Sequence, residues 1–163
     1  MIRVFALALA LLLAACGLQP MYRGGGSGHV ATGLSSIQVA AIPDRAGWLI
    51  RNALVDRLGG ENANPAYRLE VALDDNLTAF GIRGDSSATR ERRTLRARYR
   101  LVDLKNGEVV LDATAGSDAG IDIVSSEYAT VAAEQTAQER LAEVVADQMV
   151  SRLALFVRRT GGQ

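Results

Sequence analysis

Along residues 34–42, Ile37, Val39 and Ala41 alternate with Ser36, Gln38 and Ala40, the period of a half-buried strand. Pro43-Asp44 breaks that strand, and Asp44 is placed to cap a helix beginning there. Over 46–58 the spacing becomes helical. Ile50, Leu54 and Leu58 share one face, Trp48 and Val55 flank it, and Arg51, Asn52 and Asp56 fall outside it. Gly59-Gly60 ends the helix. A second strand is predicted over 66–74, where Tyr67, Leu69, Val71 and Leu73 alternate with Arg68, Glu70 and Asp74. Residues 75–88 carry two signals. Leu77, Phe80 and Ile82 prolong the strand, whereas Gly81, Gly84-Asp85 and Ser86-Ser87 read as a turn.

A third strand is expected over 89–103, then a two-residue hairpin at Asn106-Gly107, a fourth strand over 108–116 and a loop over 117–126. The chain closes on a long helix over 128–158, where Ala133, Ala137, Leu141, Val145, Met149 and Leu153 recur every fourth residue. The resulting order is β-α-β-β-β-α. It predicts an α+β, two-layer sandwich, with a four-stranded, mostly antiparallel sheet and two helices on one face.

The first 33 residues follow neither period. Arg3 precedes an unbroken apolar run from Val4 to Ala15, too short to cross a bilayer as a helix but fitted to a secretory signal. The run ends in Leu13-Ala14-Ala15-Cys16, which resembles the lipobox of bacterial lipoproteins. Cys16 is the sole cysteine, so no internal disulfide competes for it. The resemblance implies cleavage before Cys16 and a covalent diacylglycerol and N-acyl lipid, such as palmitate, on that residue. Two or three acyl chains give stable anchoring, at about 0.8 kcal/mol per buried methylene. Gly17 stands where an aspartate commonly retains enteric lipoproteins in the inner membrane, so the outer membrane is expected. The run Gly24-Gly25-Gly26-Ser27-Gly28 reads as flexible, and no Gly-Lys-Ser/Thr comes after it to make it a phosphate loop. The expected divisions are a signal peptide at 1–15, a lipidated flexible tether at 16–33, and a folded domain at 34–163.

The 18 basic and 18 acidic side chains balance, which argues against bulk nucleic-acid binding. Lys105 is the one lysine among the basic residues, a bias that a GC-rich genome also produces. Catalysis is not expected. The single histidine, His29, lies in the Gly-rich stretch, and Asp118 and Asp122 lack a calcium-loop pattern. One cluster stands out: Arg90, Arg92, Arg93, Arg96, Arg98 and Arg100. On a strand, Arg92, Arg96, Arg98 and Arg100 share a face with Thr94, and Leu95, Ala97, Tyr99 and Leu101 take the other. Either Glu70, Asp74 and Asp112 neutralise a solvated arginine face, or the face receives a phosphorylated or carboxylated ligand in bidentate guanidinium forks.

Several segments, in order, are similar to LptE-type proteins, the lipopolysaccharide-assembly lipoproteins of Gram-negative outer membranes, in their alphaproteobacterial branch. They are Cys16-Gly17-Leu18-Gln19-Pro20-Met21-Tyr22, Ile42-Pro43-Asp44-Arg45 leading into Leu49-Ile50-Arg51-Asn52, and Tyr67-Arg68-Leu69-Glu70-Val71. Thr89-Arg90, Tyr99-Arg100-Leu101-Val102-Asp103, Tyr128-Ala129-Thr130 and Ser151-Arg152-Leu153-Ala154 continue the match. The resemblance implies a lipid-anchored protein on the periplasmic side of the outer membrane. It would plug an LptD-like β-barrel and help deliver lipopolysaccharide, with no enzymatic activity and no cofactor beyond the covalent lipid. An alternative is a periplasmic lipoprotein that binds another anionic ligand or a protein.

Overall fold

The computed structural model describes residues 28–82, 88–124 and 126–160, with the side chains of 82, 88 and 89 excepted. Helices α1 (His29–Ser35), α2 (Asp44–Leu58) and α3 (Glu127–Thr160) accompany strands β1 (Ile37–Val39), β2 (Tyr67–Ile82), β3 (Ala88–Asp103) and β4 (Val109–Asp122). The sheet order is β1-β2-β3-β4. The α+β class is as expected, but the sheet is mixed: β1 runs parallel to β2, while β2, β3 and β4 form an antiparallel meander. The parallel pair results from α2 lying between β1 and β2, because a helical crossover returns the chain in its original direction.

Burial explains each helix. In α2, Ile50, Leu54 and Leu58 are buried at the predicted spacing. In α3, Leu141, Val145, Met149 and Leu153 do the same, with Ala142, Ala146 and Ala154 letting neighbouring backbones approach. They meet Leu69, Leu95, Tyr99 and Leu101 from the sheet, all buried, so the core lies between the helix layer and one sheet face. Tyr67 adds an edge-on contact with Phe156 of α3, ring centroids 6.0 Å apart. Helix α3 has 34 residues and spans about 51 Å, matching the 16-residue strands β2 and β3 beneath it.

The elements differ from the sequence pattern in five places. A third helix, α1, occupies residues read as tether and strand, and the first strand shrinks to Ile37–Val39. Leu34 anchors α1 in the core, and Gly33 lies against Val157, where a side chain would collide. Asp44 begins α2 with φ 67° and makes no side-chain cap, so Pro43 is the capping position. Strand β2 runs on through the ambiguous segment to Ile82, and β4 runs through the predicted loop to Asp122. Finally, the connection from β3 to β4 is longer than the two residues expected. Asp103 donates its N–H to Glu108 O at 2.9 Å, Gly107 donates to Asp103 O at 2.8 Å, and Gly107 takes φ 75°. The signal peptide, Cys16 and the Gly-rich run up to Ser27 lie outside the described residues.

Candidate anionic-ligand face

Helices cover one face of the sheet and leave the other open. Residues directly opposed in antiparallel strands share a face. The register sets Arg92 between Thr78 and Gly120, Arg96 between Asp74 and Gly116, Arg98 between Ala72 and Thr114, and Arg100 between Glu70 and Asp112. Thus Arg92, Arg96, Arg98 and Arg100 do share the open face, each exposed, while Leu95, Ala97, Tyr99 and Leu101 are buried beneath the helices. Arg90 belongs to the same row. Arg93 has the opposite parity and lies on the helix side, where it grips Asp75 through two hydrogen bonds of 2.9 and 2.7 Å.

Two of the three expected acids neutralise the row. Arg98 reaches Asp112 in a two-pronged contact of 3.2 and 2.9 Å, which holds the Asp112 carboxyl below its usual range and raises the guanidinium. Glu70 accepts from Arg100 at 3.3 Å and lies 3.0 Å from Arg68. Asp74 stands opposite Arg96 but accepts instead from Asn76 at 2.7 Å. Asp122, which the sequence pattern left in a loop, pairs with Arg90 at 2.8 Å.

Arg92 and Arg96 are left without a carboxylate among the described residues. The Arg92 guanidinium lies 5.5 Å from the Phe80 ring centroid, a cation–π contact that keeps its charge. Arg96 donates to the main-chain carbonyls of Ser117 at 3.0 Å and Leu95 at 3.3 Å. A side chain at Gly116 would strike Arg96, so the glycine makes room for this folded-back guanidinium. Beside them, Glu70, Val71, Ala72, Arg98 and Arg100 line a cavity of about 360 Å³. The face therefore offers two uncompensated guanidiniums, Arg92 and Arg96, in a row whose other three, Arg90, Arg98 and Arg100, are paired. Phosphate or carboxylate oxygens fit such forks.

Sequence reasoning missed Arg68 and Phe80 on this face. The alternation of Arg68 with Tyr67 and Leu69 was the available signal for the first. The strand continuing past Asp74 was needed for the second. No group of three or more His, Cys, Asp or Glu is arranged to hold a metal among the described residues. No described helix is long and apolar enough to cross a membrane. His29 opens α1 exposed to solvent.

The model of the lipopolysaccharide-assembly family LptE matches residues 34–153. The crystal structure of a putative lipoprotein from Caulobacter crescentus CB15 is 33% identical, covers 82% of this chain and 98% of its own, and superposes with a TM-score of 0.69. The rare lipoprotein B of Shewanella oneidensis shares the fold at 8% identity, with 77% and 96% of the two chains covered and a TM-score of 0.60. A minor lipoprotein from Acinetobacter baumannii does so at 15% identity, covering 73% and 88%, with a TM-score of 0.56. A comparison with curated protein sequences returns no match.

Proposed function

The chain belongs to the LptE lipopolysaccharide-assembly family, and from that premise we propose that it is an outer-membrane lipoprotein that plugs an LptD-like β-barrel and assists lipopolysaccharide transport to the outer leaflet. Cys16, lipidated, holds it on the periplasmic side. Its part is positional and electrostatic, not enzymatic. Supporting this reading most directly is the open sheet face, where Arg92 and Arg96 carry charges that no described carboxylate answers. Lipopolysaccharide bears phosphates on its headgroup, and guanidinium forks bind phosphate bidentately. Enclosure by a barrel would reduce salt screening and strengthen each contact.

The proposal is tested by affinity purification of the tagged full chain from native membranes. An LptD-like barrel should copurify, and mass measurement of the mature N-terminus should find an acylated Cys16. Cys16→Ser should leave the chain unprocessed or soluble and the barrel uncaptured. Recovery without a barrel, or an unmodified Cys16, overturns the assignment.

A further inference from the structure

Strand β4 is the long outer edge of the sheet, and its free side is only partly covered. Gly116 donates its N–H to Gln148 Oε1 at 3.1 Å, and its carbonyl accepts from Gln148 Nε2 at 3.4 Å. The main-chain groups of Gly116 therefore point away from β3, toward α3. Outward and inward residues alternate along an antiparallel strand, so Asp118, Gly120 and Asp122 also turn their N–H and C=O groups outward. Beyond the strand, the Val124 N–H donates to Thr130 Oγ1 at 3.4 Å. Helix α3 thus closes the edge at two points. Gly116 and Val124 lie about 26 Å apart along the chain, and Gln148 and Thr130 about 27 Å apart along the helix, so α3 tracks the edge in step.

Between the two closures the edge is open. Among the described residues, nothing bonds the outward main-chain groups of Asp118 and Gly120. A groove of about 530 Å³ runs there between β4 and α3. Its α3 wall presents Ala133, Ala137, Leu141 and Val144, with Arg140 at the rim. Arg140 pairs with no carboxylate among the described residues, and Asp118 on the strand side pairs with no cation among them. Native sheets commonly blunt their edges against general pairing by covering them, and here the two closures leave one short, groove-backed stretch bare.

We propose that the outward edge of Asp118–Asp122 accepts a short extended segment of a partner polypeptide by β-augmentation. Main-chain hydrogen bonds supply the attachment and alternate side chains the selectivity. Side chains turned toward α3 meet Ala133, Ala137 and Val144 and are apolar, except one carboxylate that meets Arg140. Those turned to the open face lie beside Asp118, and a cationic one there answers its charge. The site borders the arginine face, since Gly120 is paired with Arg92, but its main-chain attachment uses none of the arginines.

The test uses the full processed chain in detergent and a capped six-residue peptide of alternating threonine and valine, with one valine replaced by glutamate. Amide hydrogen exchange, read residue by residue by NMR, is the observable. At nine times the dissociation constant, exchange at Asp118 and Gly120 should slow about tenfold, with Gly116 and Val124 unchanged. Arg140→Glu should weaken binding of the glutamate peptide about tenfold and favour its lysine counterpart instead. Gly120→Pro removes an outward donor where a Cβ meets nothing within 4 Å, and should abolish binding with the circular dichroism retained. Should that variant misfold, the Arg140 charge swap decides alone. No slowing at Asp118 and Gly120, or equal binding of both peptides by both Arg140 forms, overturns the proposal. Slowing without peptide, dependent on chain concentration and accompanied by a dimer in ultracentrifugation, assigns the edge to a second copy and also overturns it.

Discussion

Asp75 and Glu91 lie on the helix side of the sheet, and their surroundings move them in opposite directions. Asp75 accepts from Arg93 and from Gln138, the latter at 2.9 Å, and these bonds outweigh the cost of burial and hold its carboxyl below the usual value of 3.8. Burial pushes Glu91 above its usual 4.5, and the facing Glu134 adds repulsion. Its Oε2 is shielded and unbonded, and a proton held between the two carboxyls is what would satisfy it. The consequences for acid stability have opposite signs. Asp75 stabilises the fold above its unfolded value, and that contribution disappears as pH falls through its lowered folded value. Arg93→Ala should therefore cost about 1–3 kcal/mol at pH 7 by urea unfolding, and less below pH 3.8. Glu91 favours the fold only while protonated, so its charge is destabilising at pH 7. Glu91→Gln should raise the melting temperature at pH 7 and leave it unchanged below pH 4.5. A lower melting temperature at pH 7 would show that Glu91 is held by a cation instead.

Helix α3 carries the largest share of the core, and its buried face was legible from the fourfold spacing of Leu141, Val145, Met149 and Leu153. Leu141→Ala should cost about 2–5 kcal/mol in chemical denaturation. An unchanged midpoint would mean that the face is not buried as described. Gly47 in α2 gives a sharper test. Helix propensity alone favours alanine over glycine by about 1 kcal/mol, but a Cβ at Gly47 would lie 2.6 Å from the main-chain carbonyl oxygen of Ile42. Backbone cannot yield as a side-chain tip can, so Gly47→Ala should destabilise by about 1–3 kcal/mol. Strand ends were less legible, for reasons found in single residues. The apolar alternation of β2 breaks at Asp75, whose partner Arg93 is remote in sequence, so the segment beyond it reads both as more strand and as a turn. In β4, Gly116, Ser117 and Gly120 imitate a loop, though Ala115, Ala119 and Ile121 keep the alternation on the helix side. Helix α1 has only seven residues, two of them glycine and alanine, so its contact with Val157 marks it better than any periodicity does.

For the whole molecule, the division of labour between the two sheet faces was legible in the arginine row, because period two forces Arg92, Arg96, Arg98 and Arg100 to one side. Which of them stay uncompensated was not, since the carboxylates that answer Arg90, Arg98 and Arg100 come from neighbouring strands. In the proposed function this face binds the phosphates of lipopolysaccharide, chiefly through Arg92 and Arg96. The most direct measurement is lipopolysaccharide affinity of the purified chain, with folding verified by circular dichroism, for the parent, for Arg92→Glu with Arg96→Glu, and for the matching lysine pair. Two charge-assisted contacts of about 1.5–3 kcal/mol each predict a loss of about hundredfold or more for the glutamate pair. The lysine pair should lose less, because only the fork geometry is gone. A folded double-glutamate chain that binds lipopolysaccharide as tightly as the parent would contradict the claim and leave the row a solvated face.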